Sequence, residues 1–240
     1  MPAITVAMIT LNEEKAVAKV IDEVRAAIGD VDAEILIVDS SSDSTPQIAE
    51  AKGARVVRQF PPRGYGRAMV RVLEEARGDV VVTLDCDDTY PADQILPIAA
   101  MVSGGNVDLV NASRLERRPA AMPLANYFAN WSFAMTAWLL LGAKTTDLHS
   151  GMRAYRRAML ETLTFDGSGP ALPVELLLKP ALAGYRIAEI FIPYRDRIGA
   201  TTLNRWSSTV WTFRRIFRLL PLRFAHAGQT PIGDLGHRTE

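Results

Sequence analysis

The chain has 240 residues, of which 48% are apolar, and its 27 Lys/Arg residues balance its 27 Asp/Glu residues. This length and apolar content predict one substantial core and exclude two fully separate domains. A single cysteine, Cys86, excludes an internal disulfide framework, and three scattered histidines give no zinc-ligand spacing.

The charges are divided unevenly along the chain. Residues 1–110 carry 10 Lys/Arg against 18 Asp/Glu, whereas residues 111–240 carry 17 against 9. We therefore expect the two halves to face different partners, and no nucleic-acid partner is expected.

The N-terminal residues lack the basic segment of a signal peptide and lead directly into an apolar run. The longest nearly uncharged run, residues 131–143, would span about 20 Å as a helix, against a bilayer core of about 30 Å. A cytoplasmic location is predicted.

Short β-rich runs alternate with helix-like segments in the first 115 residues. The predicted strands cover 4–10, 34–39, 54–57, 79–85 and 107–113, and the predicted helices cover 13–28, 44–52, 66–77 and 92–102. This alternation is typical of βαβ units and predicts an α/β fold, with a mostly parallel central sheet and helices on both faces.

The second half is more helical and aromatic. It predicts helices over 123–142 and 173–183, a polar stretch over 147–157 and a strand over 186–194. A basic amphipathic helix then follows, because apolar residues recur at helical spacing beside arginines. These apolar residues are Trp206, Val210, Phe213, Phe217 and Leu220. The predicted organisation is a main domain over 1–202, the amphipathic helix over 203–224 and a flexible tail over 225–240.

Acidic residues follow the predicted second and fourth strands, at the sheet edge where α/β proteins bind ligands. Asp43 and Asp88 are equally well explained as turn residues. Asp85 and Asp87 are not, because two carboxylates about 4 Å apart repel by about 4 kcal/mol at an effective dielectric near 20. Their oxygen ligands favour Mg²⁺ or Mn²⁺, ions that also bind substrate phosphates.

The identity of the phosphorylated ligand is not given by a nucleotide loop. The sequence has neither GxxxxGK[ST] nor a GxGxxG after the first strand. Gly64 and Gly66 form only a short glycine pair. An ATPase or a nicotinamide-dependent enzyme is therefore disfavoured.

Five segments together resemble the family 2 glycosyltransferases of the GT-A fold. They are TLNEE (10–14), VDSSSDST (38–45), RGYGRA (63–68), DCDDTYP (85–91) and DLHSGMRAYRR (147–157). The nearest subgroup comprises the polyprenyl-phosphate hexose synthases, such as dolichyl-phosphate mannose and glucose synthases. The resemblance covers residues 3–205.

The resemblance implies a metal-dependent, inverting hexosyltransferase that uses a nucleotide-diphospho-sugar donor. Asp85 and Asp87 match the DxD pair that holds the metal ion against the diphosphate. The residues implied for donor binding are Thr10, Leu11, Glu13, Asp39, Ser41, Gly64, Asp85 and Cys86. A nucleophilic Cys86 is disfavoured, because neighbouring carboxylates suppress the thiolate.

A polyprenyl phosphate is the implied acceptor, at the cytoplasmic face of the membrane. Its phosphate is already mostly dianionic at pH 7 and needs cations rather than a strong base. The residues implied for acceptor-phosphate binding are Arg114, Ser150, Arg153 and Arg197, and those implied for catalysis are Asp85, Asp87, Arg114 and Arg153. For each arginine, a solvated surface position is the alternative.

Two positions depart from the family pattern, since Ser40 replaces an acid and Thr202 replaces a lysine. These departures leave open a non-lipid acceptor or a non-catalytic binding protein on the same fold. A nucleotidyltransferase would also use paired acids. Glu175 matches a family glutamate, although an ordinary helix-surface acid is an equal alternative.

The basic amphipathic helix has two open interpretations. Trp206, Trp211, Phe213 and Phe217 could enter a membrane interface. Alternatively, the helix packs on its own domain or on a small membrane-protein partner. A homo-oligomer is also left open.

Overall fold

The computed structural model describes residues 3–119, 122–198, 205–225 and 236–237. A central sheet has the strand order β3-β2-β1-β4-β6-β5-β7-β8. The strands are β1 (Ile4–Thr10), β2 (Ala33–Asp39), β3 (Arg55–Arg58), β4 (Val80–Thr83), β5 (Leu109–Ser113), β6 (Arg153–Arg156), β7 (Ile187–Phe191) and β8 (Gly236–His237). Strand β6 is antiparallel to both of its neighbours, and the other described pairs are parallel.

Helices cover both faces of this sheet, as the sequence predicts. They are α1 (Val17–Ile28), α2 (Thr45–Ala51), α3 (Tyr65–Glu75), α4 (Ile95–Ser103), α5 (Leu124–Leu141), α6 (Arg157–Glu161), α7 (Leu172–Leu182) and α8 (Arg205–Ala225). A 3₁₀ turn, Ala92–Gln94, precedes α4. Alternate residues of β1 point to opposite faces, so that Val6 and Met8 pack with α1 and α4, whereas Ala7 packs with α3.

Helix α1 begins at Val17, four residues later than predicted. The backbone amide of Asn12 donates to Ser41 Oγ (2.7 Å), and that of Glu13 donates to Thr45 Oγ1 (2.9 Å). Asn12 also has a positive φ of 59°. Residues 11–13 are therefore tied to the segment between β2 and α2, and residues 14–16 form a hydrogen-bonded turn that leads into α1.

Strand β6 lies within the stretch 147–157, which was predicted only as polar. The strand was not predicted because it contains two charged residues, Arg153 and Arg156. Both side chains are nevertheless held inside the fold, Arg153 almost fully buried and Arg156 partly buried beside Asp108. Because β6 lies antiparallel between β4 and β5, it brings the start of the segment to the carboxyl edge of the parallel strands.

The C-terminal helix α8 packs on α7 and α5. Of the predicted tail, Ala225 ends α8 and Gly236–His237 pairs with β7, while the remaining residues and Thr202 lie outside the described residues. None of the described helices has the length and apolar character needed to cross a membrane.

Candidate active site

A pocket opens at the carboxyl ends of β1, β2 and β4, which are neighbours in the sheet. Six of the eight residues predicted to bind a donor line it. They are Thr10, Leu11, Glu13, Gly64, Asp85 and Cys86. Tyr65, Ser40 and Arg197 complete much of the wall. The six predicted residues come from short segments that are distant along the chain, and their role in donor binding stays a prediction.

Asp39 and Ser41 support the pocket from behind. The Asp39 carboxylate is fully buried and accepts hydrogen bonds from Thr10 Oγ1 (2.6 Å) and Ser41 Oγ (2.6 Å). Arg58 forms an ion pair with the same carboxylate and donates to the Ser41 carbonyl oxygen. Asp39 therefore fixes the ends of β1 and β2, while the backbone between Asp39 and Ser41 presents Ser40 to the pocket.

Asp85 and Asp87 lie on the loop after β4, as predicted. Burial, and secondly the Asp87 carboxylate, raise the pKa of Asp85 to about 6, although Arg114 and Arg197 oppose this shift. The Asp87 carboxylate is 3% exposed and accepts hydrogen bonds from the backbone amide (3.1 Å) and Oγ1 (2.6 Å) of Thr89. The two carboxylates repel each other in a site that would favour an added cation.

Gly151 is a site residue that the sequence reasoning missed. A Cβ atom at this position would lie 2.7 Å from Asp85 Oδ2, closer than non-bonded atoms approach. The Gly151 amide also donates to the Tyr90 hydroxyl (2.7 Å). The available signal was its place in the DLHSGMR segment, where a glycine permits close approach of backbone to an acidic side chain.

Arg197 joins the acidic loop after β4 to the pocket. Its Nη2 lies 3.0 Å from Asp87 Oδ2 and 3.5 Å from Glu13 Oε1. Burial mainly, with Asp87 and Asp85 adding to it and Arg197 opposing it, raises the pKa of Glu13 to about 7. The backbone amide of Ile198 also donates to the Asp87 carbonyl oxygen (2.9 Å). The residues around Arg197 therefore cover the acidic loop.

Arg114 is held by a carboxylate that the sequence reasoning did not single out. Its Nε and Nη2 donate to the two carboxylate oxygens of Asp147, at 2.7 and 2.9 Å. Despite burial, Arg114 lowers the pKa of Asp147, so this carboxylate stays charged. The guanidinium also stacks over Tyr90 and Tyr194, at 5.9 and 5.2 Å from the ring centroids. Its position is fixed, and its charge is already balanced.

Arg153 and Ser150 do not line the pocket. Arg153 is 1% exposed and donates to Asn111 Oδ1 (2.8 Å) and to the carbonyl oxygens of Pro173 (2.5 Å) and Leu148 (3.0 Å). The Ser150 hydroxyl is buried and donates to the Ala112 carbonyl oxygen. Both residues organise the sheet edge beside the site, and direct contact with an acceptor phosphate stays a prediction.

The turn interpretation accounts for the contacts of Asp43. Its Oδ1 accepts from the backbone amide and the hydroxyl of Thr45, at the start of α2. Asp88 has a positive φ of 67° and pairs with Lys19 and with Arg195 (3.7 Å). Neither carboxylate lines the pocket.

Cys86 lines the pocket as an unreactive thiol. Burial, followed by the nearby carboxylates of Glu13, Asp87 and Asp85, raises the pKa of Cys86 well above its ordinary value. Because the thiolate is the nucleophilic form, this agrees with the expectation that Cys86 is not a nucleophile.

Among the residues that the structure describes, no group of three or more His, Cys, Asp or Glu side chains is arranged to hold a metal ion. The two acids that the sequence assigns to an ion at this edge are Asp85 and Asp87. Two carboxylates suit Mg²⁺ or Mn²⁺, because these ions retain water and bind phosphates of a ligand as further partners. The residues present therefore fit a divalent ion that is held jointly by the protein and a phosphorylated ligand.

Glu175 lies away from the pocket, inside the packing of α7 against α8. It is 3% exposed and forms an ion pair with Arg215 of α8, itself 2% exposed. Lys179 Nζ lies 3.2 Å from its other carboxylate oxygen. Glu175 is thus neither an ordinary surface acid nor part of the pocket wall.

Comparison with known proteins agrees with this geometry. Residues 5–164 match the model of the family described as Glycosyl transferase family 2. The chain is 41% identical over 201 residues to the dolichyl-phosphate hexose transferase of Haloferax volcanii, covering 84% of this chain and 86% of that one. It is 27% identical to the undecaprenyl-phosphate mannosyltransferase of Micrococcus luteus, with 78% and 82% covered.

Among solved structures, the chain resembles glucosyl-3-phosphoglycerate synthase from Mycobacterium tuberculosis. The complex with uridine diphosphate gives a TM-score of 0.74 at 23% identity and covers 92% of this chain and 80% of that one. The complex with Mn²⁺ and UDP-glucose gives 0.68 at 25% identity, covering 93% and 79%. These likenesses confirm the predicted fold class, GT-A included.

Proposed function

We propose that this chain, which belongs to glycosyl transferase family 2, transfers a hexose from a nucleotide-diphospho-sugar to a polyprenyl phosphate. The likeness that carries the proposal is the 41% identity to a dolichyl-phosphate hexose transferase, which extends over more than four fifths of both chains. The enzyme class, a hexosyltransferase, follows from the family and its relatives.

The donor would occupy the pocket at the ends of β1, β2 and β4. Asp85 and Asp87 would hold a divalent ion against its diphosphate, and this ion would supply Lewis-acid stabilisation of the departing nucleoside diphosphate. Crystals of the structural relative contain Mn²⁺ together with UDP-glucose. In this chain, Gly151 leaves the space that the Asp85 carboxylate needs, and Thr89 orients Asp87.

The acceptor phosphate would attack the anomeric carbon as the bond to the diphosphate breaks, with inversion of configuration. The dianionic acceptor requires cations rather than proton removal. Arg197 lines the pocket and is one-third exposed in its side chain, whereas Arg114 is bound bidentately to Asp147. We therefore assign direct phosphate contact to Arg197 and a positioning role to Arg114.

The test is a transfer assay with polyprenyl phosphate, Mn²⁺ or Mg²⁺ and a panel of radiolabelled UDP- and GDP-sugars. Organic-phase label that requires the ion and one donor is expected, and Asp87→Asn should reduce it by about 100-fold or more. Arg117→Gln, a change at an exposed residue outside the pocket, should leave transfer unchanged. Ion-dependent donor hydrolysis without organic-phase label would instead indicate a non-lipid acceptor.

We further propose that the protein binds the membrane surface through α5 and α8. These helices pack together, and Arg223 of α8 donates to the Leu140 carbonyl oxygen of α5. Both leave large apolar side chains exposed. They are Leu124, Phe128, Trp131, Trp138 and Leu139 on α5, and Trp206, Val210, Phe217 and Phe224 on α8. Exposed Arg214 and Arg218 suit an anionic leaflet, at about 1 kcal/mol each.

Of the four aromatic residues that the sequence predicted for a membrane interface, two are exposed and two pack inside the fold. Trp206 and Phe217 are 84% and 53% exposed, but Trp211 packs beside Gly169 and Phe213 lies 5.1 Å from the Phe133 ring. Helix α8 therefore packs one face on its own domain and leaves the other face exposed for the proposed membrane contact.

Vesicle flotation tests the membrane proposal with two matched substitutions of exposed valines. Val210→Asp, on the free face of α8, is expected to reduce flotation with phosphatidylglycerol vesicles several-fold, because it places a charge where apolar area would be buried. Val31→Asp, at an exposed turn elsewhere, should not. Equal flotation of both variants would favour attachment through a membrane-protein partner.

A further inference from the structure

A second groove lies on the opposite side of the 59–68 segment from the donor pocket. Its cavity volume is about 310 Å³, and its walls include Gln59, Arg63, Arg67 and Arg71 on one side and Asp166 and Ser168 on the other. The groove and the donor pocket share no lining residue. Arg63 and Arg67 belong to the RGYGRA segment, but the proposed transfer reaction gives this groove no role.

Three arginines form one wall of the groove. Arg63 precedes α3, and Arg67 and Arg71 follow at four-residue intervals, so the two helical residues project from successive turns about 6 Å apart. All three are exposed. Arg71 pairs with Glu75 (2.6 Å), but within the described residues neither Arg63 nor Arg67 has a carboxylate partner. Two guanidinium groups are thus available to one ligand.

Gln59 provides a second, independent observation. Its Nε2 atom is buried and has no hydrogen-bond partner among the described residues, although the side chain lines the groove. A buried amide N–H without an acceptor costs about 1–3 kcal/mol. An oxygen atom of a ligand in the groove would satisfy it beside the two free arginines.

Two acids also line the groove, Glu74 on α3 and Asp166 opposite, so three arginines face two carboxylates there. The Asp166 carboxylate already faces two arginines of α8, namely Arg215 (3.2 Å) and Arg218. Arg215 also donates to the Ser168 carbonyl oxygen, which fixes the loop in place. A Cβ atom on Gly66 would lie 2.5 Å from the Gly167 carbonyl oxygen, so α3 and this loop are in direct contact. The groove therefore has a fixed width.

We propose that this groove is a second anion site, which binds a phosphoryl group between Arg63 and Arg67 with the Gln59 amide as a third donor. Planar guanidinium groups bind phosphate oxygens through paired hydrogen bonds, and the amide adds a neutral donor of defined direction. The phosphoryl group belongs either to a soluble phosphate ester or to a lipid headgroup, since both present the same oxygens.

Calorimetry with inorganic phosphate and EDTA-treated protein tests the site directly. Arg63→Gln/Arg67→Gln is expected to weaken phosphate affinity by about tenfold or more, and Gln59→Leu by about threefold to tenfold. Arg77→Gln/Arg117→Gln removes the same charge from exposed positions outside the groove and should retain affinity. Because neither Arg63 nor Arg67 lines the donor pocket, a loss of affinity in Arg63→Gln/Arg67→Gln reports on this groove and not on the donor site.

Flotation with phosphatidylglycerol vesicles then distinguishes the two sources. Weaker flotation of Arg63→Gln/Arg67→Gln than of Arg77→Gln/Arg117→Gln assigns the groove to a lipid headgroup, and equal flotation with lost phosphate affinity assigns it to a soluble ester. The proposal is overturned if the wild-type protein binds no phosphate, or if Arg63→Gln/Arg67→Gln binds it as well as the control variant.

Discussion

The Asp85 carboxylate occupies a space that exists only because residue 151 is glycine. The Cβ of any other residue would lie 2.7 Å from Asp85 Oδ2 and 2.9 Å from its Cγ. Because the Asp85 side chain is short, it could relieve this contact only by moving its carboxylate. That movement would change the geometry of the Asp85–Asp87 pair. Gly151 thereby controls the geometry of the acidic pair without contacting a ligand itself.

Gly151→Ala should therefore impair transfer far more than folding. A displacement of about 1 Å in a catalytic group can reduce a rate by about 100-fold, and we expect a loss of that order. The free energy of unfolding in urea should fall by no more than about 2 kcal/mol. Gly104→Ala, at the end of α4 where a Cβ would approach nothing nearer than Ala100 O at 3.3 Å, is the matched control. Full transfer activity in Gly151→Ala would contradict this role.

Sequence reasoning found the acids of the site more readily than the partners of its arginines. Asp85 and Asp87 directly follow a buried apolar strand, so their common edge could be predicted from the parallel-sheet rule. The bidentate contact between Arg114 and Asp147 joins residues 33 positions apart. No local pattern indicates which of several exposed-looking arginines will meet a distant carboxylate.

At the scale of elements, the pair Glu175–Arg215 fastens α8 to α7. Both side chains are almost fully buried, and Arg215 also bonds to the loop before α7 through the Ser168 carbonyl oxygen. A buried ion pair contributes little net stability over an apolar pair, but loss of one partner leaves an uncompensated buried charge. The pair therefore specifies where α8 docks.

Arg215→Met should destabilise the protein by about 3 kcal/mol, because Glu175 would remain buried with Lys179 as its remaining ionic partner. The double variant Glu175→Gln/Arg215→Met should recover part of that loss, a coupling that urea unfolding of all four proteins would measure. Arg214→Met, one residue earlier and exposed, should change stability by less than about 0.5 kcal/mol. Additive losses in the double variant would exclude the coupling.

The boundaries of elements show the same limit of local patterns. Helix α5 was predicted over 123–142 and covers Leu124–Leu141, because its long apolar run and terminal Gly142 are local signals. Strand β6 was missed, since its two arginines are held inside the fold by contacts with Asn111, Asp108 and backbone carbonyl oxygens. Those partners become adjacent only when the sheet forms.

For the whole molecule, the acidic N-terminal half supplies the carboxyl groups of the candidate site, two of which are partly buried and keep their protons to higher pH than in the unfolded chain. The pKa of Glu13 rises from 4.5 to about 7, and that of Asp85 rises from 3.8 to about 6. Between each pair of values the folded protein binds more protons than the unfolded chain, so these groups make the unfolding free energy fall as pH rises. Partly buried His149 acts in the opposite direction, because desolvation lowers its pKa from 6.5 to about 4.

Because His149 has the opposite effect on the unfolding free energy, the contribution of Glu13 is measured as a difference between the wild type and a Glu13 variant. Glu13→Gln removes one of the two raised carboxyl groups and leaves His149 unchanged. The unfolding free energy of the wild type minus that of Glu13→Gln should therefore decrease steadily from about pH 4.5 to about pH 7 and level off above it. Urea unfolding at half-unit pH intervals in EDTA would measure this difference, with Glu14→Gln, an exposed neighbour, as the control. A flat or rising difference would show that folding does not raise the pKa of Glu13. It would then contradict the interpretation that desolvation and neighbouring carboxylates keep this acid protonated in the pocket.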